Sequence, residues 1–253
     1  MNDVIKGKNV SDAWIQATNH LLQNGREEYN LVVEIENPTQ DDIEIRRQFN
    51  KILSNMNDQS IETVANTIFP YGIWSKSDNR FNLYDRFIKV YPILRKVQEN
   101  NKGTYFGRLV QWSYGTEKCF NQVEHTIFKL RREKQNGRGI RVMYEMSIYD
   151  PVLDLNNQMG FPCMSFISVK IRKGFLDLTA IYRNQYFVQK AYGNFLGLGR
   201  LLDFIAKESG YEVGKLTCIA THADLGQIKP KSNYLKMVEI CSNQEQVELN
   251  FDS

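Results

Sequence analysis

Four cysteines and three histidines are the side chains of this 253-residue sequence best suited to nucleophilic or metal chemistry. Cys119, Cys163, Cys218 and Cys241 stand far apart with no C-x-x-C pair, which argues against both a zinc site and a disulfide framework. His20, His125 and His222 are too few and too scattered for a histidine-rich metal centre, so no metal is expected. What remains is the chemistry of a free thiol. Because a free thiol titrates near ~8.5, a nucleophilic cysteine at neutral pH needs positive charge beside it. The chain carries 32 basic and 29 acidic residues, interspersed and without a basic arm, which suits a small anionic ligand better than a nucleic acid.

The elements that must hold such a thiol follow from periodicity and breakers. Trp14, Ala17 and Leu21 recur at helical spacing and predict a helix over 11–24, with Ser11 or Asp12 as N-cap and Gly25 just past its end. The β-branched segment 31–37, closed by Pro38, predicts a strand, and a helix over 41–53 follows. A loop is expected over 71–82, a helix over 83–99 and an amphipathic helix over 117–134. Strand patterns occupy 140–150, 163–172 and 175–183, the last two joined by a turn at Lys173 and Gly174. A helix over 192–208 stops at Gly210, and strands are expected over 215–221 and 234–240. The sum is a single α+β domain, 1–253, with one large mixed or antiparallel sheet covered by helices. No apolar run approaches membrane-spanning length and the first ten residues lack the apolar core of a secretory signal, so a cytosolic protein without a membrane partner is expected.

One cysteine stands in a recognisable setting. Pro162 and Cys163 are followed by Arg183 twenty positions on and by Asn194 eleven after that. This pattern resembles the catalytic half of thymidylate synthases and the related pyrimidine hydroxymethylases. The segment 193–216 is similar to the family's long central helix, 103–112 resembles its Gly-x-x-Tyr-Gly-x-x-Trp segment, and LVVEIENPT and SIETVANTIFP are similar to shorter, archaeal-type members. The resemblance implies that Cys163 adds to C6 of a pyrimidine nucleoside monophosphate, that Arg183 holds its phosphate and polarises the thiol, and that Asn194 reads the base. An amide donates and accepts at once, which matches uracil better than cytosine. Glu62 falls at the family's proton-relaying Glu, Arg138 and Arg141 near the arginines that a homodimer partner lends to the phosphate, and His222 or Asp224 at the sugar-binding position. Tyr105 and Trp112 are expected to be core aromatics rather than ligand contacts, and the resemblance offers Trp112 and Tyr186 as the residues on the 5,10-methylenetetrahydrofolate side of the family's site.

The sequence also departs from the family. Met164 replaces the His after the nucleophile, Ser168 replaces a Gln, and Tyr186 stands where an Asp binds the pterin. The C-terminal VELNFDS lacks the family's apolar tail. Two readings follow from different classes: an enzyme that moves a methyl or hydroxymethyl group onto C5 of dUMP or a related uridylate, and a nucleotide-binding or regulatory protein that keeps the Cys, Arg and Asn without folate turnover.

Overall fold

Alternation along one strand shows how the core is built. In Phe175–Tyr182, Leu176, Leu178, Ala180 and Tyr182 are buried while Asp177, Thr179 and Ile181 are half-buried, so one sheet face is sealed and the other partly open. The computed structural model describes residues 4–249 apart from 115–116, 138–139, 141 and 158–159, and without the side chains of 114, 117–118 and 243–249. In chain order, β1 (Ile5–Asn9) leads into α1 (Val10–Gln23) and β2 (Glu27–Asn37), followed by α2 (Ile43–Asn55), α3 (Ile61–Ile68), α4 (Tyr71–Trp74), α5 (Arg80–Leu94) and α6 (Tyr105–Val110). A small pair, β3 (Trp112–Tyr114) and β4 (Glu117–Phe120), precedes α7 (Gln122–Gln135), β5 (Glu145–Ser147) and α8 (Pro151–Asp154). Then come the hairpin β6 (Met164–Arg172) and β7 (Phe175–Tyr182), the two-residue β8 (Gln185–Tyr186), α9 (Tyr192–Ser209), β9 (Glu212–Asp224) and α10 (Lys231–Leu249).

Seven strands form one mixed sheet in the order β1-β2-β9-β7-β6-β5, with β8 alongside β9. β2 and β6 run antiparallel to their neighbours β9 and β7, while β7 and β8 run parallel to β9. The α+β expectation with a large mixed sheet flanked by helices is what the chain forms.

Several boundaries differ from the sequence reading. Asn9, not Ser11 or Asp12, caps α1, its side chain accepting from the Asp12 amide at 3.0 Å, because Ser11 is engaged by the Tyr192 hydroxyl at 2.6 Å. The expected helix at 117–134 begins only at Gln122, since Asn121 caps it and 117–120 pair as a strand. Among the described residues of the expected strand 140–150, Glu145–Ser147 alone form a strand of the sheet, and the helix expected to reach 99 ends at Leu94. The expected loop at 71–82 contains α4 and the start of α5. The expected strand at 234–240 is part of helix α10: Met237, Ile240 and Cys241 are buried at helical spacing against α1 and α2, and that packing overrides the local β-branched composition. No helix among the described residues is long and apolar enough to cross a membrane.

The long helix α9 lies against α3 because two glycines let the backbones touch. A Cβ on Gly193 would meet the Val64 side chain at 2.6 Å and the Ile61 carbonyl at 2.8 Å, and one on Gly197 would meet the Ala65 carbonyl at 2.7 Å. This contact fixes the start of α3 over the N-terminal end of α9.

Candidate active site

Cys163 and Arg183 stand on the same rung. β6 begins at Met164 and β7 ends at Tyr182, so the two residues lie just beyond opposite ends of one hairpin, and the Arg183 amide donates to the Cys163 carbonyl at 2.9 Å. The pairing needs a bulge. Phe166 faces Ile181 but Met164 faces Tyr182, so one residue, Ser165, is extra on β6. Both Ile148 and Tyr149 donate their amides to the Ser165 carbonyl, which pins the bulge in place. Without it Asn184, not Arg183, would stand opposite the thiol.

The guanidinium is held by three contacts. Arg183 lies over the Phe161 ring, its Cζ 3.8 Å from the centroid, and its Nη2 donates to the Phe161 carbonyl at 3.3 Å and reaches Cys163 Sγ at 4.0 Å. Its Nε is buried without a partner among the described residues. The Thr221 hydroxyl donates to the carbonyls of Tyr182 and Arg183, fastening this end of β7 to β9. Burial pushes the Cys163 thiol up, and the charges of Arg183 and then Lys190 pull it down without cancelling that effect.

Cys163 and Arg183 open onto a cavity of about 600 Å³, within the size range of small-molecule sites. Asn194, buried near the start of α9, lines it, as do Asn184 and His222, whose side chains hydrogen-bond through Oδ1 and Nδ1 at 2.5 Å. Tyr105 also lines it rather than sitting wholly in the core. Its hydroxyl faces the backbone of Met164 and Cys163, and burial keeps it protonated. Gln59, Glu99, Tyr186 and Lys190 add further polar groups to the wall. Lys190 projects from the π-helical turn Phe187–Ala191 that leads into α9, a widened turn of the kind found at functional sites, and its Nζ donates to Gln59 Oε1 at 2.8 Å.

No protein-family model matches the chain. It is similar to proteins named "Putative thymidylate synthase": one from Methanosarcina acetivorans is 26% identical over 87% of this chain and 88% of its own length. Another, from Methanosarcina barkeri, is 24% identical over 88% of each. A third, from Methanothermobacter marburgensis, is 29% identical over 58% of this chain and 60% of its own. The chain is a divergent thymidylate synthase-like protein.

In this thymidylate synthase-like chain the expected site residues do not all gather. Cys163, Arg183, Asn194, His222 and Tyr186 share the cavity. Glu62 is not among its lining residues: it lies in the first turn of α3 and receives two hydrogen bonds from Arg200, at 2.7 and 2.9 Å. Those bonds hold its carboxyl below the ordinary carboxylate value, which gives it the work of an ion pair between α3 and α9. Asp224 also stays off the cavity wall and closes a turn by accepting from the Gly226 amide at 2.7 Å, whereas His222 lines the wall. Trp112 pairs with Phe120 in the small sheet, away from the wall. Arg138 and Arg141 lie outside the described residues. The sequence reading missed Lys190, Gln59, Glu99 and Asn184. For Lys190 a signal existed, a lone charge inside the otherwise uncharged stretch FVQKAYGNFLGLG.

Proposed function

We propose that the chain transfers a one-carbon unit, methyl or hydroxymethyl, to C5 of dUMP or a related uridylate through a covalent bond from Cys163 Sγ to C6. The observation that carries this reading is the single rung that puts the Cys163 thiol 4.0 Å from the Arg183 guanidinium, on the wall of the cavity that Asn194 also lines. Sγ supplies the electron pair of the new bond, the C5=C6 electrons move onto the C4 carbonyl, and C5 becomes the nucleophile that the free base lacks. Asn194 offers its amide to the ring's O4 and N3–H. In this reading Arg183 and Asn184, both on the cavity wall, would hold the phosphate and His222 the sugar.

The implied donor, 5,10-methylenetetrahydrofolate, fits the rim. Glu99 offers a carboxylate to the donor edge of a pterin, and the 40% exposed Tyr186 ring offers a surface to stack on. When bound, the donor would supply a one-carbon unit at the oxidation level of formaldehyde. A homodimer is the proposed working unit, since the rung Phe166–Ile181–Ile219–Val32 crosses the sheet on the face opposite α9 and is half-buried in the lone chain.

Tyr186 favours a second reading. With a phenol in place of the carboxylate, and with a thiol held protonated by burial, the chain would bind pyrimidine nucleotides as a sensor without turnover. Incubation with 5-fluoro-dUMP, with and without methylenetetrahydrofolate, followed by intact-protein mass spectrometry and peptide mapping, separates the two. The first reading expects a folate-dependent ternary mass on Cys163, absent from Cys163→Ala although that variant still binds dUMP. A nucleotide-only adduct would mean that the thiol attacks but another donor serves. No adduct despite measurable binding would establish the sensor.

A further inference from the structure

We propose that Lys190 is a catalytic group of this site: its ammonium, steadied by Gln59, donates a hydrogen bond to the ring oxygen O4 that becomes an enolate when the Cys163 thiolate adds to C6. The proposal rests on the uridylate reading above and names a residue that neither the family pattern nor the expected site contains.

Three observations carry it. First, Lys190 lines the same cavity as Cys163 and Asn194, and it stands one turn before Asn194, so a base read by the Asn194 amide has the lysine beside the same edge. Second, the ammonium is placed rather than loose. Its Nζ donates to Gln59 Oε1 at 2.8 Å, and Gln59 immediately precedes Ser60, the N-cap of α3, which the close contacts at Gly193 and Gly197 lock onto α9. Third, an ammonium has three donors, and Gln59 takes one, leaving N–H bonds for a ligand in the cavity. Burial lowers the proton affinity of Lys190, while Asp58, Glu99 and the Cys163 thiolate favour its charged form.

The chemistry needs such a group. Thiolate addition moves one negative charge from sulfur to O4: the S–C6 bond forms, the C5=C6 π pair shifts to C4–C5, and the C4=O4 pair goes to oxygen. The Cys163 proton leaves to solvent beforehand. Donors already aimed at the oxygen that gains charge lower the barrier most, because they need no reorganisation at the moment of reaction. Asn194 supplies one neutral donor and Lys190 a charged one, whereas Glu62, held by Arg200, is not aimed there.

The test compares wild type with Lys190→Met, Lys190→Gln and Lys190→Arg. Three quantities are read: dUMP affinity by calorimetry, the rate of 5-fluoro-dUMP adduct formation at saturating nucleotide, and the pH profile of Cys163 alkylation by iodoacetamide. Lys190→Gln is included because it can still bond Gln59 if the Met variant folds poorly. The expected result is dUMP affinity within about threefold of wild type, adduct formation slower by roughly 10²-fold or more in Met and Gln, partial recovery in Arg, and an alkylation midpoint that rises with loss of the charge but by far less than the adduct rate falls. Adduct formation at the wild-type rate would overturn the proposal. Lost affinity with an unchanged saturated rate would overturn it in favour of phosphate binding, and an alkylation profile shifted as far as the adduct rate would overturn it in favour of action through the thiol. Failure of wild type itself to form any adduct would sink the uridylate reading and the lysine proposal together, an outcome distinct from loss in the variants alone.

Discussion

At the scale of single residues, the site sets a half-buried thiol against one guanidinium. Burial is the larger influence on Cys163, so its thiol titrates above the ordinary value although Arg183 and Lys190 oppose this. The sign is definite: a raised thiol is mostly protonated at neutral pH and becomes reactive only as pH rises. Iodoacetamide alkylation of Cys163 should therefore climb with a midpoint above the ~8.5 of a free cysteine, and Arg183→Gln should move it higher still. A wild-type midpoint below that of free cysteine would mean that the cations outweigh burial. The sequence made Cys163, Arg183 and Asn194 legible because their spacing is fixed by regular elements, a hairpin and a helix. Glu62, expected as a proton relay, pairs with Arg200, 138 residues away, and no local pattern announces an ion pair across two helices. Lys190 was hidden for the opposite reason, because a single lysine usually marks a solvated face.

At the scale of elements, strands with strict alternation were legible, and the ends of elements were not. Leu176 to Tyr182 alternate cleanly and form β7 as expected, whereas 234–240 carries the β-branched Val238 and Ile240 yet buries Met237, Ile240 and Cys241 as a helix does. Local composition loses there to the helices waiting on either side. The α3–α9 contact is the element-level feature on which the site depends most. Gly193→Ala would drive a methyl group to 2.6 Å from the Val64 side chain, so α3 must move. The expected cost is about 1–3 kcal/mol, read as a lower denaturant midpoint with an unchanged slope. A variant as stable as wild type would show that α3 can shift freely, and Gln59 with it.

At the scale of the whole molecule, one sheet face is sealed by helices and the other carries the rung Phe166–Ile181–Ile219–Val32 half-covered. An apolar row across a central sheet invites a second copy. Sedimentation equilibrium should give a dimer, and Ile181→Glu, which places a charge in the middle of that row, should give a monomer; a wild-type monomer at micromolar concentration would remove the dimer from the proposal. The hairpin that carries the nucleophile has a consequence for divergence. Cys163 and Arg183 are partners because they close the open end of β6–β7, while the turn at Lys173 and Gly174 lies at the far tip, with paired rungs and the one bulge at Ser165 between them. The interval of twenty is thus the contour length of a loop, a ruler that measures the ribbon and not the chemistry. Residues added or removed as matched pairs at the tip would change the count and leave the thiol facing its guanidinium, so distant kin with another interval could still own the same site.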